Sequence, residues 1–155
     1  FCGTAPGHVS AARQAYYAHP QNKFWRILFE TGLTPRLLAP REYKLLTGYG
    51  IGLTDIAKFT HGMDKEFGGD ALGRAAINDL ATRVSACAPR FLAFTSKTGG
   101  QRFFGGSRPC SPQPEMLGGT RIWILPSTSP AAQNSWNPAI WHALAAEIRA
   151  RARND

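Results

Sequence analysis

Two short apolar runs constrain this chain more than any other feature: Phe91-Leu92-Ala93-Phe94 and Ile122-Trp123-Ile124-Leu125. Neither alternates with polar residues, so each reads as a strand covered on both faces. Such strands belong to parallel sheets, whose crossovers lay helices over the two faces. Helical patterns stand where the crossovers require them. Asn22 is a candidate N-cap for a helix through Thr31, with Phe24, Ile27 and Leu28 on one face and Gly32 as the stop. Pro40 can open a second helix and Gly48 close it. Asp70 is the candidate cap of a long helix in which Leu72, Ala76, Leu80, Val84 and Cys87 recur at helical spacing, ended by Pro89. Asn137-Pro138 opens the last helix, with Ile140, Leu144 and Ile148 inward and Arg149, Arg151 and Arg153 near its negative C-terminal end.

The remaining segments are shorter or irregular. Residues 8–21 lack clean periodicity and read as a loop with a helical turn. Ile51 to Ile56 reads as an extended segment or strand end that delivers Asp55. Residues 58–69 read as loop. Residues 105–119, with three prolines and four glycines, do too. Ser96-Lys97 and Gly99-Gly100 suit a strand-to-helix turn. The expected fold class is α/β, a three-layer α/β/α sandwich with a short, mainly parallel central sheet. In such sheets ligands bind beyond the carboxyl ends of the strands. The loops in question hold residues 3–7, 55, 96–97 and 127–131.

A chain of 155 residues suits one domain, here 1–155, with a real core. It opens inside an expected strand, so further residues are expected before Phe1. Lys and Arg number 18 against 10 Asp and Glu, a net charge of +8. That balance favours a polyanionic partner. Cys2, Cys87 and Cys110 are an odd set without a Cys-x-x-Cys pair, which argues against a disulfide framework, a zinc site or an iron–sulfur cluster. No His/Asp/Cys group has metal-ligand spacing, and no cofactor is expected. No apolar run approaches the ~18 residues a membrane span needs, and no signal peptide is visible. A monomer in the cytoplasm, acting at the nucleoid, is the expectation.

Chemistry concentrates in the first 25 residues. Gly3-Thr4-Ala5-Pro6-Gly7 is a Gly/Pro turn after an apolar fragment. Glycine permits close approach, so the backbone of Thr4 and Ala5 can come up to a ligand. Tyr16 and Tyr17 offer flat stacking surfaces, and His19-Pro20-Gln21-Asn22 leads into Phe24-Trp25. Together these suit a flat polar ring such as a nucleobase. Asp55 is the sharpest catalytic candidate, since it stands at an expected strand end. His8 and His19 are alternatives. Lys58, Lys97, Arg102 and Arg108 lie in loops able to form a phosphate track.

These pieces resemble the mismatch-specific uracil-DNA glycosylases, the group that includes thymine-DNA glycosylase. That family carries a Gly-x-Asn-Pro-Gly turn followed, at the same distance, by an aromatic residue and a His-Pro-x-Asn-x-Phe-Trp run. Here the matching residues are Gly3, Pro6, Gly7, Tyr17, His19, Pro20, Asn22, Phe24 and Trp25. Leu125-Pro126-Ser127-Thr128-Ser129-Pro130-Ala131 resembles the family's Leu-Pro-Asn-Pro-Ser-Gly loop, and Gly50 to Asp55 resembles a segment lining its base pocket. One departure matters: Ala5 occupies the position of the family's catalytic Asn.

The resemblance implies a monofunctional glycosylase that flips uracil, or a related mismatched base, from double-stranded DNA and leaves an abasic site. It implies base contacts from Thr4, Ala5, Tyr17 and Asn22. DNA contacts would come from Gly7 and Ser10, from Lys58 and Lys97, and from the insertion loop at Ser127, Ser129 and Pro130. The family inserts residues of that loop into the duplex; Ala131 is a small wedge, with Gln133 a substitute. Tyr16 to Pro20 and the Ser127–Pro130 loop also resemble the hypoxanthine-DNA glycosylase branch. A DNA-binding module that lost its chemistry with Ala5 is a rival of another class.

Overall fold

The computed structural model describes residues 1–5, 7–58 and 73–153. Five strands form one sheet: β1 (Cys2–Gly3), β2 (Thr54–Asp55), β3 (Phe91–Phe94), β4 (Pro112–Leu117) and β5 (Thr120–Ile124). Their order is β2-β1-β3-β5-β4. The first four in that order pair in parallel, and β4 runs antiparallel at the edge. The helices are α1 (His8–Ala12), α2 (Phe24–Glu30), α3 (Arg74–Cys87), α4 (Lys97–Phe104) and α5 (Pro138–Ala152), with 3-10 segments at Pro40–Tyr49 and Pro130–Ser135.

The two apolar runs are strands buried on both faces, as their lack of alternation requires. Their side chains divide by the two-residue period of a strand. Ala93, Trp123 and Leu125 pack in one core with Phe24 and Leu28 of α2 and Trp141 and Leu144 of α5. Leu92, Phe94, Ile122 and Ile124 pack in the other with Leu80 and Val84 of α3. Helices thus cover both faces, which makes the three-layer α/β/α sandwich. Gly100, inside α4, is the contact that lets this helix lie on the sheet. A Cβ there would fall on the Ile124 side chain. The Gly99-Gly100 pair is therefore helix rather than turn, with the Ser96 hydroxyl accepting the Gly99 N–H as the cap.

Several boundaries differ from the sequence reading. Residues 105–119 are not one long loop, since Pro112–Leu117 forms β4. Proline is tolerated there because an edge strand has a ladder on one side only. The 3-10 segment from Pro40 ends at Gly50, whose φ of 72° is the left-handed cap that Gly48 was expected to supply. Cys87, at the last turn of α3, is exposed rather than inward. The Asp70 cap, Leu72 and most of the 58–69 loop lie outside the described residues, as does Pro6. The opening of α5 is as expected: Asn137 Oδ1 accepts the Ala139 N–H and Pro138 takes the first helical position.

Candidate active site

The site begins with a register. β1 and β2 pair so that Gly3 lies beside Asp55, and the Ile56 N–H donates to the Gly3 carbonyl at 2.9 Å. Neighbours in register send their side chains to the same side of the sheet. Gly3 has none, and the Asp55 carboxylate occupies that space: a Cβ on Gly3 would fall on Asp55 Oδ1. Tyr17 Oη is 3.6 Å from the same point. On the other side of β1, the Thr95 N–H donates to the Cys2 carbonyl at 2.9 Å. The carboxyl ends of β1, β2 and β3 therefore bring Gly3, Asp55 and Thr95 together.

Asp55 is only 4% exposed. Burial pushes its carboxyl up from the ordinary 3.8 to about 6, against the opposing pull of the Arg83 guanidinium and the Phe1 amino group. It thus sits close to the pH at which a general base works best. Buried carboxylates with raised pKa values are over-represented at functional sites.

Tyr17 is held from several directions. Its φ is 52°, a left-handed conformation that costs a non-glycine residue roughly 1–2 kcal/mol. The Trp25 indole N–H donates to the Tyr16 carbonyl at 3.2 Å. The Ala18 N–H donates to Ser10 Oγ at 3.0 Å, which ties the segment back to α1. The Tyr17 ring stacks on Phe24, centroids 3.8 Å apart and planes at 20°. Its hydroxyl shares a hydrogen bond of 3.0 Å with Thr95 Oγ1. Burial, with Asp55 nearby, holds the phenol well above its ordinary value, so it stays neutral. Tyr17 is part core and part site: it packs against the core of α2 and α5 and also lines the cleft.

Asn22 stands just before α2. Its Oδ1 accepts the Phe24 N–H at 3.0 Å, but the N-cap is Lys23 rather than Asn22, because the helix proper starts one residue later than expected, at Phe24. With Oδ1 engaged, the amide has its N–H donors left to offer.

A cleft of about 1020 Å³ opens over these groups. That is at the upper end for a ligand pocket, larger than a base alone needs. Its walls include Thr4, Ala5, Gly7, Ser10, Tyr17 and Asn22 from the N-terminal region. Asp55 lines it from the end of β2, Lys58 from the segment that follows, and Lys97 from the start of α4. Ser127, Ser129, Pro130 and Ala131 line it from the loop after β5. That loop is anchored from below. The Trp141 indole N–H donates to the Pro126 carbonyl at 3.0 Å, and the Lys23 N–H to the Thr128 carbonyl at 3.0 Å.

Among the sequence candidates, Gln133 is exposed on the 3-10 segment and does not line the cleft. Arg108 pairs with Glu115 at 2.6 Å and lies over the Phe104 ring, and neither it nor Arg102 is part of the lining. His8 and His19 do line it. Tyr16, the alternative stacking surface, lines it as well, and Thr95 is a lining residue at the floor of the site that the sequence did not single out. Thr95 directly follows a buried strand, which is the one signal that marks it. Among the described residues no group of three His, Cys, Asp or Glu side chains converges as metal ligands would.

All the residues that line the cleft fall within one match. The family model of the Uracil DNA glycosylase superfamily matches residues 1–148. The chain belongs to that superfamily. Its mainly parallel sheet with helices on both faces is consistent with the α/β fold of the family. Superfamily members are DNA glycosylases that act on DNA, which supports a DNA glycosylase role here. Among the described residues no helix is long and apolar enough to cross a membrane.

Proposed function

We propose that this chain is a monomeric, cytoplasmic, monofunctional DNA glycosylase of the mismatch-specific branch. It extrudes uracil, or a related base, from mismatched double-stranded DNA and hydrolyses the N-glycosidic bond. The observation that carries this reading is the buried Asp55 carboxylate, seated over Gly3 at the floor of a cleft that also holds Tyr17 and Asn22. Extrusion costs a few kcal/mol and costs least at a mismatch, which contributes selectivity.

The flipped ring stacks on the Tyr17 face opposite Phe24. The Thr4 and Ala5 backbone approaches its edge. The Asn22 amide donates to a carbonyl oxygen of the base, which favours uracil over cytosine, whose exocyclic amine would confront a donor. As the C1′–N bond breaks, its electron pair leaves with the base and positive charge builds on the sugar. The ionised Asp55 stabilises that charge. It also takes a proton from the water that bonds to C1′. Ala5 can do neither through its side chain. Lys58 and Lys97 are exposed at the cleft. They suit phosphates rather than covalent attack, which requires a desolvated amine. The hydroxyls of Ser127 and Ser129 accept local N–H groups of their own loop and retain O–H donors for phosphate oxygens.

Incubation with a uracil-containing duplex tests this reading. Free uracil should be released, and the strand should break only after alkali. Strand cleavage without alkali contradicts the monofunctional mechanism. Binding without base release contradicts the enzyme reading. Release of hypoxanthine in place of uracil moves the chain to the hypoxanthine branch.

A further inference from the structure

We infer that Arg83 is a positioning residue for Asp55, acting from α3 without lining the cleft. The inference rests on the catalytic reading of Asp55 given above. One guanidinium spans the whole of β2. Its Nη1 donates to Thr54 Oγ1, its Nη2 to the Asp55 carbonyl at 3.1 Å, and its Nε to Asp79 Oδ2 at 2.8 Å on the same helix. β2 needs this support. It is two residues long and lies at the end of the sheet order, with β1 its only strand neighbour among the described residues. Among the described residues, Arg83 takes the outer edge of β2, bonding the side chain of Thr54 and the main chain of Asp55.

The same guanidinium supplies positive charge beside a buried carboxylate. It opposes the burial that raises the Asp55 pKa. Other titratable groups among the described residues act on Asp55: the Phe1 amino group just before β1, the Cys2 thiol on β1, and, from the segment before α2, the phenols of Tyr16 and Tyr17. His8, His19, Lys58 and Lys97 face the cleft. Among the described residues, Arg83 is the side chain that both bonds β2 and carries positive charge toward Asp55. Asp79 fixes the guanidinium from the solvent side, where its own side chain is largely exposed.

Asp55 titration should be followed by carboxyl carbon NMR in the parent protein, Arg83→Gln and Arg83→Lys. An opposite charge at this range shifts a carboxylate by roughly one pH unit or more. The midpoint should therefore rise above the parent's in Arg83→Gln and return toward it in Arg83→Lys. Single-turnover cleavage by Arg83→Gln should lose its acid limb at correspondingly higher pH. At alkaline pH, where Asp55 is ionised in both proteins, a loss on the order of tenfold should persist from mispositioning. In the parent protein, the Arg83 Nε–H resonance should titrate with the Asp55 midpoint, a response that Asp55→Asn abolishes. This last measurement needs no Arg83 variant and decides the matter if Arg83→Gln does not fold. A folded Arg83→Gln with an unmoved midpoint, or an Arg83 resonance blind to Asp55, overturns the inference. If the midpoint moves but cleavage does not follow it, the catalytic reading of Asp55 fails while the coupling to Arg83 stands.

Discussion

Replacing Asp55 by Asn should stabilise the protein while disabling it, and the size of the effect follows from burial. The carboxyl rises from an ordinary 3.8 to about 6 on folding. Roughly two pH units correspond to about 3 kcal/mol. A raised pKa means the folded state holds the proton more tightly than the unfolded one between those values. Stability from this group is therefore greatest below about pH 4, falls as pH rises through 6, and stays lower above it. Asn keeps the shape and carries no charge, so it escapes that cost. The gap between Asp55→Asn and the parent should grow by up to about 3 kcal/mol from pH 4 to pH 8. For a chain of this length that is on the order of 6–12 °C in melting temperature. Urea unfolding of both proteins at several pH values measures it. Glu42, held down to about 2 by Arg36, titrates alike in the two proteins and cancels in the comparison. A gap that stays flat across this range would refute the reasoning, because Asp55 would then not be a carboxylate forced to ionise out of water.

Other outcomes follow from the same geometry. Gly3→Ala puts a methyl where Asp55 Oδ1 lies. It should cost about 1–3 kcal/mol of stability as overpacking and at least ~10² in single-turnover rate; an unchanged rate would show that the carboxylate is free to work elsewhere. Tyr17→Ala should lose on the order of 1–3 kcal/mol of base-dependent binding, measured against an abasic duplex. Tyr17→Phe should keep the stacking and lose about 1 kcal/mol of stability with the Thr95 hydrogen bond. DNA affinity should fall with salt at a log–log slope of about −0.9 per phosphate contacted, and binding indifferent to salt would remove Lys58 and Lys97 from the interface.

Much of the fold is legible in the chain because burial on both faces leaves an unbroken apolar run, as in Phe91–Phe94 and Ile122–Leu125. β4 is not legible, because an exposed edge strand needs no such run and tolerates Pro112 and Pro114. The residue types of the site stand out locally, in Gly3, Tyr17, Asn22 and Asp55. Their convergence does not. That Gly3 lies beside Asp55 depends on a strand register linking segments about fifty residues apart, and nothing local encodes it. Thr95 carries only the weak mark of following a strand. Arg83 looks like any helix-surface cation in an i, i+4 pair with Asp79, and only the packing of α3 against β2 distinguishes it. The left-handed backbone at Tyr17 is likewise imposed by tertiary contacts, since tyrosine has no preference for it.

Single-turnover cleavage of a uracil-containing duplex by Asp55→Ala tests the central claim most directly. The variant should fold, bind DNA, and lose at least ~10² in rate, the low end for a positioned acid–base group. The parent's rate should fall in acid as Asp55 protonates near pH 6. Cleavage by Asp55→Ala at close to the parent rate would contradict the assignment and leave His8, at the mouth of the same cleft, as the next residue to replace.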